Sequence, residues 1–70
     1  MSSDRVIEES IAQVRNDLAA DRMTRLARAT IAAFARTDTR TVEQWWSGGK
    51  VWEVKREEIE RVATALGWGK

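Results

Sequence analysis

The chain has 70 residues with no Cys, no His and no Pro, and a net charge of +1. Disulfide staples and the usual zinc ligands are therefore excluded, no apolar run is long enough for a membrane span, and the N-terminus lacks a signal-peptide layout. Ten Ala and 33% charged residues favour one compact all-α domain near the lower size limit for an independent core.

The first predicted element is a helix over residues 4–19, capped from Ser2-Ser3-Asp4, with Ile7, Ile11, Val14 and Leu18 forming one apolar stripe. Asp4, Glu8 and Glu9 lie in its opening turns, where the helix dipole favours anions. A second helix over 23–36 begins from a cap at Asp21 or Thr24. On a 100° repeat, Met23, Leu26, Ala27, Thr30, Ile31, Ala33 and Phe34 share its inner arc, while Arg22, Arg25, Arg28 and Arg36 share the other. Within Ile31–Trp45 the apolar spacing fits two short helices crossing at a tight turn: Ile31 and Ala35 face inward from the first, and Val42 and Trp45 from the second. Ala32 is small enough for close approach, and Thr37-Asp38-Thr39 supplies capping side chains for the third helix, over 39–47. That is the layout of a helix-turn-helix, which places its second helix in a DNA major groove.

Gly48-Gly49 stops the third helix, and Val51, Trp52 and Val54 are available to cover the core. The last helix, over 55–66, turns Ile59, Val62, Ala63 and Leu66 to one side and ends at Gly67, leaving Trp68 to fold back as a lid. The expected core is Ile11, Val14, Leu18, Leu26, Ile31, Phe34, Val42, Trp45, Ile59, Val62 and Leu66. Charge is uneven along this layout: residues 1–21 carry −3, residues 22–50 carry +4, and residues 51–70 are neutral. Positive charge concentrated in the helix-turn-helix third is the footprint of a nucleic-acid binder.

From Thr24 onward the chain resembles the Cro/C1-type (XRE) helix-turn-helix repressors of phages and bacteria. Ile31-Ala32 is similar to the family's Leu-Ala, Thr41–Gly48 to its recognition-helix ending, and Ile59–Gly67 to its closing helix. Arg36 stands where the family prefers Gly, which implies a looser turn or a left-handed Arg36. Val54-Lys55 replaces the family's Pro-Ser and leaves the last helix without a good N-cap. A second likeness, of Thr41–Ile59 to excisionase and MerR-type proteins, implies a winged helix-turn-helix with a short wing at 49–54 and an architectural role on DNA. Ser47–Glu53 leaves little room for that wing.

The repressor likeness implies sequence-specific binding to a double-stranded DNA operator in the cytoplasm, the host's if the chain is phage-encoded. Thr39, Arg40, Glu43, Gln44 and Ser47 would then face the bases. Arg40 has the fork for guanine, Gln44 the amide for adenine, and Glu43 an acceptor for cytosine. Arg22, Arg25, Arg28, Arg36, Thr41 and Lys50 would meet the backbone. Two-fold dimers are usual in the family, and surplus Trp points to self-association through the C-terminal half, at Trp46, Trp52 and Trp68. No cofactor, metal or small-molecule substrate is implied. Without His, Cys or Tyr, an enzyme is not expected. The rival class is a protein-interaction module that binds a host factor.

Overall fold

A computed structural model describes residues 2–69, with side chains from Arg5 onward. Four helices follow one another: α1 Ser2–Ala19, α2 Arg25–Phe34, α3 Thr39–Trp46 and α4 Glu53–Ala65. No strand occurs among the described residues, so the winged alternative has no wing at 49–54. Helix α4 begins at Glu53, two residues before the expected start, and takes up the segment that the wing needs.

All four helices end in the same way. The residue after the C-cap takes a left-handed backbone, and the next N–H reaches back five residues. These bonds are Arg22 N–H to the Asp17 carbonyl at 2.8 Å, Thr37 to Ala32 at 2.9 Å, Gly49 to Gln44 at 2.7 Å and Trp68 to Ala63 at 2.9 Å. The left-handed residues are Asp21, Arg36, Gly48 and Gly67. Glycine is free to adopt that backbone, whereas Cβ clashes make it costly for Asp21 and especially for Arg36.

Helix starts are fixed by side chains where the sequence provides them. Thr24 Oγ1 accepts from Ala27 N–H at 3.1 Å, so Thr24 and not Asp21 is the cap of α2. The same hydroxyl donates to Asp17 at 2.8 Å, and Asp17 also accepts from Gln13 at 3.1 Å and Arg22 at 3.4 Å. Asp17 is 3% exposed. A buried carboxylate with three donors links the end of α1 to the start of α2 and fixes how the two helices meet. Trp52, the N-cap of α4, makes no side-chain capping bond, as the missing Pro-Ser implied.

The core contains Val14, Leu18, Ala27, Ile31, Ala32, Ala35, Val42, Trp45, Ile59, Ala63 and Leu66. Ile11 and Val62 are half-buried against it. Two expected core residues lie outside: Leu26 is 39% exposed and Phe34 59%. The inner side of α2 is Ala27, Ile31, Ala32 and Ala35, turned by about 100°, one residue's rotation, from the arc expected from sequence. Small side chains occupy that inner side because α2 packs against α1, α3 and α4, and alanines let three neighbours approach. Trp52 and Val54, expected to cover the core, are 84% and 65% exposed. Only Val51 of that group packs against it.

Candidate nucleic-acid interface

Helix α3 is eight residues long and buries two of them, Val42 and Trp45. Three apart, they anchor one side of the helix to the bundle. The opposite side carries Arg40, Glu43 and Gln44, all exposed, with Thr39 before them and Ser47 after them. Arg40 and Gln44 are one turn apart and share a face.

The start of α3 is held by Asp38. Its carboxylate accepts from the Thr41 N–H at 2.8 Å and from the Thr41 hydroxyl at 2.6 Å. Those two bonds, with a smaller contribution from the Arg40 charge, hold the Asp38 carboxyl below its ordinary range. Thr41 thus acts in the cap, with its hydroxyl engaged by Asp38. At the other end the Ser47 hydroxyl donates to the Gln44 carbonyl at 3.2 Å, and Gly49 packs so closely that a Cβ there would lie 3.2 Å from the same oxygen. The loop to Lys50 therefore leaves directly from the Gln44–Ser47 end of the exposed face.

The turn before α3 comprises residues 35–38, and its left-handed Arg36 has an exposed side chain. Lys55 Nζ donates to the Arg36 carbonyl at 3.3 Å, so α4 braces the turn from behind. Arg25, Arg36, Arg40 and Lys50 are all exposed and outside any ion pair among the described residues. Arg22 is 65% exposed while bridging Asp17.

Arg28 differs from these cations. Its guanidinium pairs with the Glu43 carboxylate at 2.8 Å, across from α2 to α3, and only 28% of its side chain is exposed. The rotation of α2 accounts for this, since it moves Arg28 from the solvent side to the edge that faces α3. The sequence pattern places Arg28 at phosphate and Glu43 at a base, and does not pair them. The available signal was charge: Glu43 is the one acid inside α3, and Arg28 lies one turn before the inward Ile31–Ala32 pair.

Of the four Trp, three form one cluster. Trp45 meets Trp68 edge-on with ring centres 5.1 Å apart, and Trp46 lies 5.9 Å from Trp45. Trp45 Nε1 also donates to Glu60 at 3.2 Å, tying α3 to α4. Trp68 is the lid expected at the C-terminus. Trp46 and Trp68 are therefore half-buried within the chain, and of the three Trp expected at a C-terminal dimer surface Trp52 alone is mostly exposed. No group of three or more potential metal ligands occurs among the described residues. No family model matches the chain, and comparison with curated proteins and with solved structures returned no match.

Proposed function

We propose that this protein binds double-stranded DNA sequence-specifically, as a small Cro-like repressor that lays α3 in the major groove. The observation that carries the reading is the division of α3: two anchoring residues within, and Thr39, Arg40, Glu43, Gln44 and Ser47 on the outer side, where Arg40 and the neighbouring Arg36 join no ion pair among the described residues. An eight-residue helix that needs only Val42 and Trp45 to stay in place leaves its other side free to carry a code. Arg40 would fork onto guanine O6 and N7, and Gln44 would pair with adenine N6 and N7. Arg25, Arg36 and Lys50 would neutralise phosphates, and Arg22 would do so less fully because it bridges Asp17, with Thr41 holding the helix end that approaches them.

Arg28 and Glu43 enter this reading as a pair. A cation already neutralised by a carboxylate releases fewer DNA counterions than a free one, so Arg28 contributes less to salt dependence than Arg25. Glu43, held by Arg28, acts more through shape and exclusion than as a free acceptor.

The test is binding to short duplexes across a range of salt, with a base-by-base scan of the preferred site. Arg40→Ala and Gln44→Ala should each relax preference at one or two base positions by about 1–3 kcal/mol with helicity and melting temperature preserved. Arg25→Ala should weaken specific and random duplexes alike and make the salt slope shallower by about one, and Arg28→Ala by less. Absence of salt-dependent duplex binding, or unchanged base preference in both α3 variants, would defeat the reading and favour a protein partner.

A further inference from the structure

Three helices end at one hollow. Asp21 lies just past the last residue of α1, Trp45 and Trp46 close α3, and Trp68 lies just past α4. These four residues line a hollow of about 260 Å³. Trp45, 8% exposed, forms its floor, and the half-buried Trp46 and Trp68 form its walls. The three rings meet one another at 54°, 72° and 60°, so they make a corner and not a stack. Stacked rings would turn their faces to each other, whereas rings at these angles leave part of their π faces to whatever fills the corner.

We infer that this hollow binds a methylated ammonium group. The surroundings favour a cation. The face of an indole is electron-rich and attracts one. The Trp45 N–H donates to Glu60 at 3.2 Å, and a donor bonded to a carboxylate leaves its ring richer still. The C-terminal end of a helix carries partial negative charge, and three such ends meet here. Asp21 adds a full charge: it is exposed and joins no ion pair among the described residues. The neighbouring Arg22 is turned instead to Asp17, at 3.4 Å.

Chemistry then selects the cation. A metal ion needs several oxygen ligands, and the lining supplies one carboxylate. A bare ammonium or guanidinium would set N–H donors against aromatic carbon, and donors left unpaired there are costly. A trimethylammonium group has no donor to satisfy and offers the rings an apolar surface. Pockets for drug-sized ligands span about 300–1,000 Å³, so this smaller hollow suits a head group and not a whole molecule. Trp46 lies about 200° from Gln44 on the helical repeat, which leaves the exposed side of α3 open when the hollow is filled.

Titration of the full chain with choline, followed by Trp emission and by the proton spectrum of the ligand, tests this without DNA. Binding should saturate, and the choline methyl protons should shift upfield, the sign that ring faces produce. The uncharged isostere of choline, with carbon in place of nitrogen, should bind roughly tenfold more weakly. A trimethyllysine peptide and its unmethylated form, titrated in parallel, distinguish a peptide source of the group from a free small molecule. Asp21→Asn keeps a side chain that tolerates the left-handed backbone, and Trp46→Leu keeps apolar bulk without the π face. Each should weaken binding several-fold with helicity preserved, and if Trp46→Leu fails to fold, Asp21→Asn decides. Trp52→Leu should leave binding unchanged, since its ring lies outside the hollow. No saturable binding of either methylated probe, equal binding of the uncharged isostere, or full affinity in Asp21→Asn and Trp46→Leu would overturn the inference. So would loss of binding in Trp52→Leu. No duplex enters the readout, so it stands or falls separately from the DNA reading.

Discussion

The two sides of α2 are both rich in alanine, yet they do opposite things. Ala27, Ala32 and Ala35 are buried beside Ile31, where α3 and α4 close in, whereas Ala29 and Ala33 lie in the open beside Phe34. Composition does not separate them. What separates them is how near the next helix comes: the inner side can hold only one large side chain among three methyl groups, and on the outer side Phe34 lies in open grooves beside α1 and α4 with room for its ring. The larger apolar residue is thus the exposed one, contrary to the ordinary expectation for a helix. On the inner side small size permits close packing, and on the outer side a large apolar group stays in water.

The largest expected effect breaks that comparison directly. Ile31→Ala should cost about 2–5 kcal/mol, as a fully buried side chain replaced by a cavity does. Phe34→Ala should cost less, about 1–2 kcal/mol, despite removing more carbon, since 59% of its surface already lies in water. Urea unfolding of both variants decides it. Equal losses would mean that Phe34 is packed and that α2 is rotated as the sequence pattern alone implied.

That rotation marks where the sequence stopped being legible. Four helices, the cap of α2 to within Asp21 or Thr24, the cap of α3 to within Thr37–Thr39, a looser turn or left-handed backbone at Arg36 and glycine closures at Gly48 and Gly67 could be read, because each depends on one or two neighbouring residues. The facing of α2 depends on three other helices at once. Leu26 and Phe34 dominate any hydrophobic pattern, so they drew the expected inner arc toward themselves, while the packed alanines carried little weight. The same shift hid the Arg28–Glu43 pair. Asp17 was illegible for a related reason: an acid next to Leu18 looks like solvent-facing charge until Thr24 and Arg22 are folded over it. On α3 the exposed set could be read, because Val42 and Trp45 at a spacing of three leave little ambiguity in so short a helix.

A smaller effect sharpens the comparison at the end of α2, where its packed side gives way to the turn. Arg36 occupies a backbone conformation that Gly48 and Gly67 adopt freely at the ends of α3 and α4. Left-handed backbone costs an ordinary residue about 1–2 kcal/mol, and part of that gain is offset in a glycine variant by the greater freedom of its unfolded chain. Arg36→Gly should therefore raise stability by about 0.5–1 kcal/mol, visible as a higher melting temperature. Under the DNA reading the same variant should lose duplex affinity without change of base preference, since a phosphate contact carries no sequence. A stabilised protein with undiminished duplex affinity would remove Arg36 from the interface while leaving the turn geometry intact.

The smallest effect lies at the start of α3, on the far side of the same turn. Thr41 holds the Asp38 carboxyl below its ordinary value of 3.8 through two hydrogen bonds. A carboxyl whose folded pKa is depressed contributes stability that is present above the unfolded value and is lost as pH falls through the folded one. Asp38 is fully exposed, so the contribution is modest and limited to the window just below its ordinary pKa. Asn in its place still caps a helix but does not titrate. The parent should thus lose more stability than Asp38→Asn between about pH 5 and about pH 2, with the other carboxylates common to both proteins. The measurement is the melting temperature of each across that range. Parallel curves would mean that the Asp38–Thr41 bonds do not distinguish the charged from the neutral carboxyl, and the start of α3 would owe its position to Val42 and Trp45 alone.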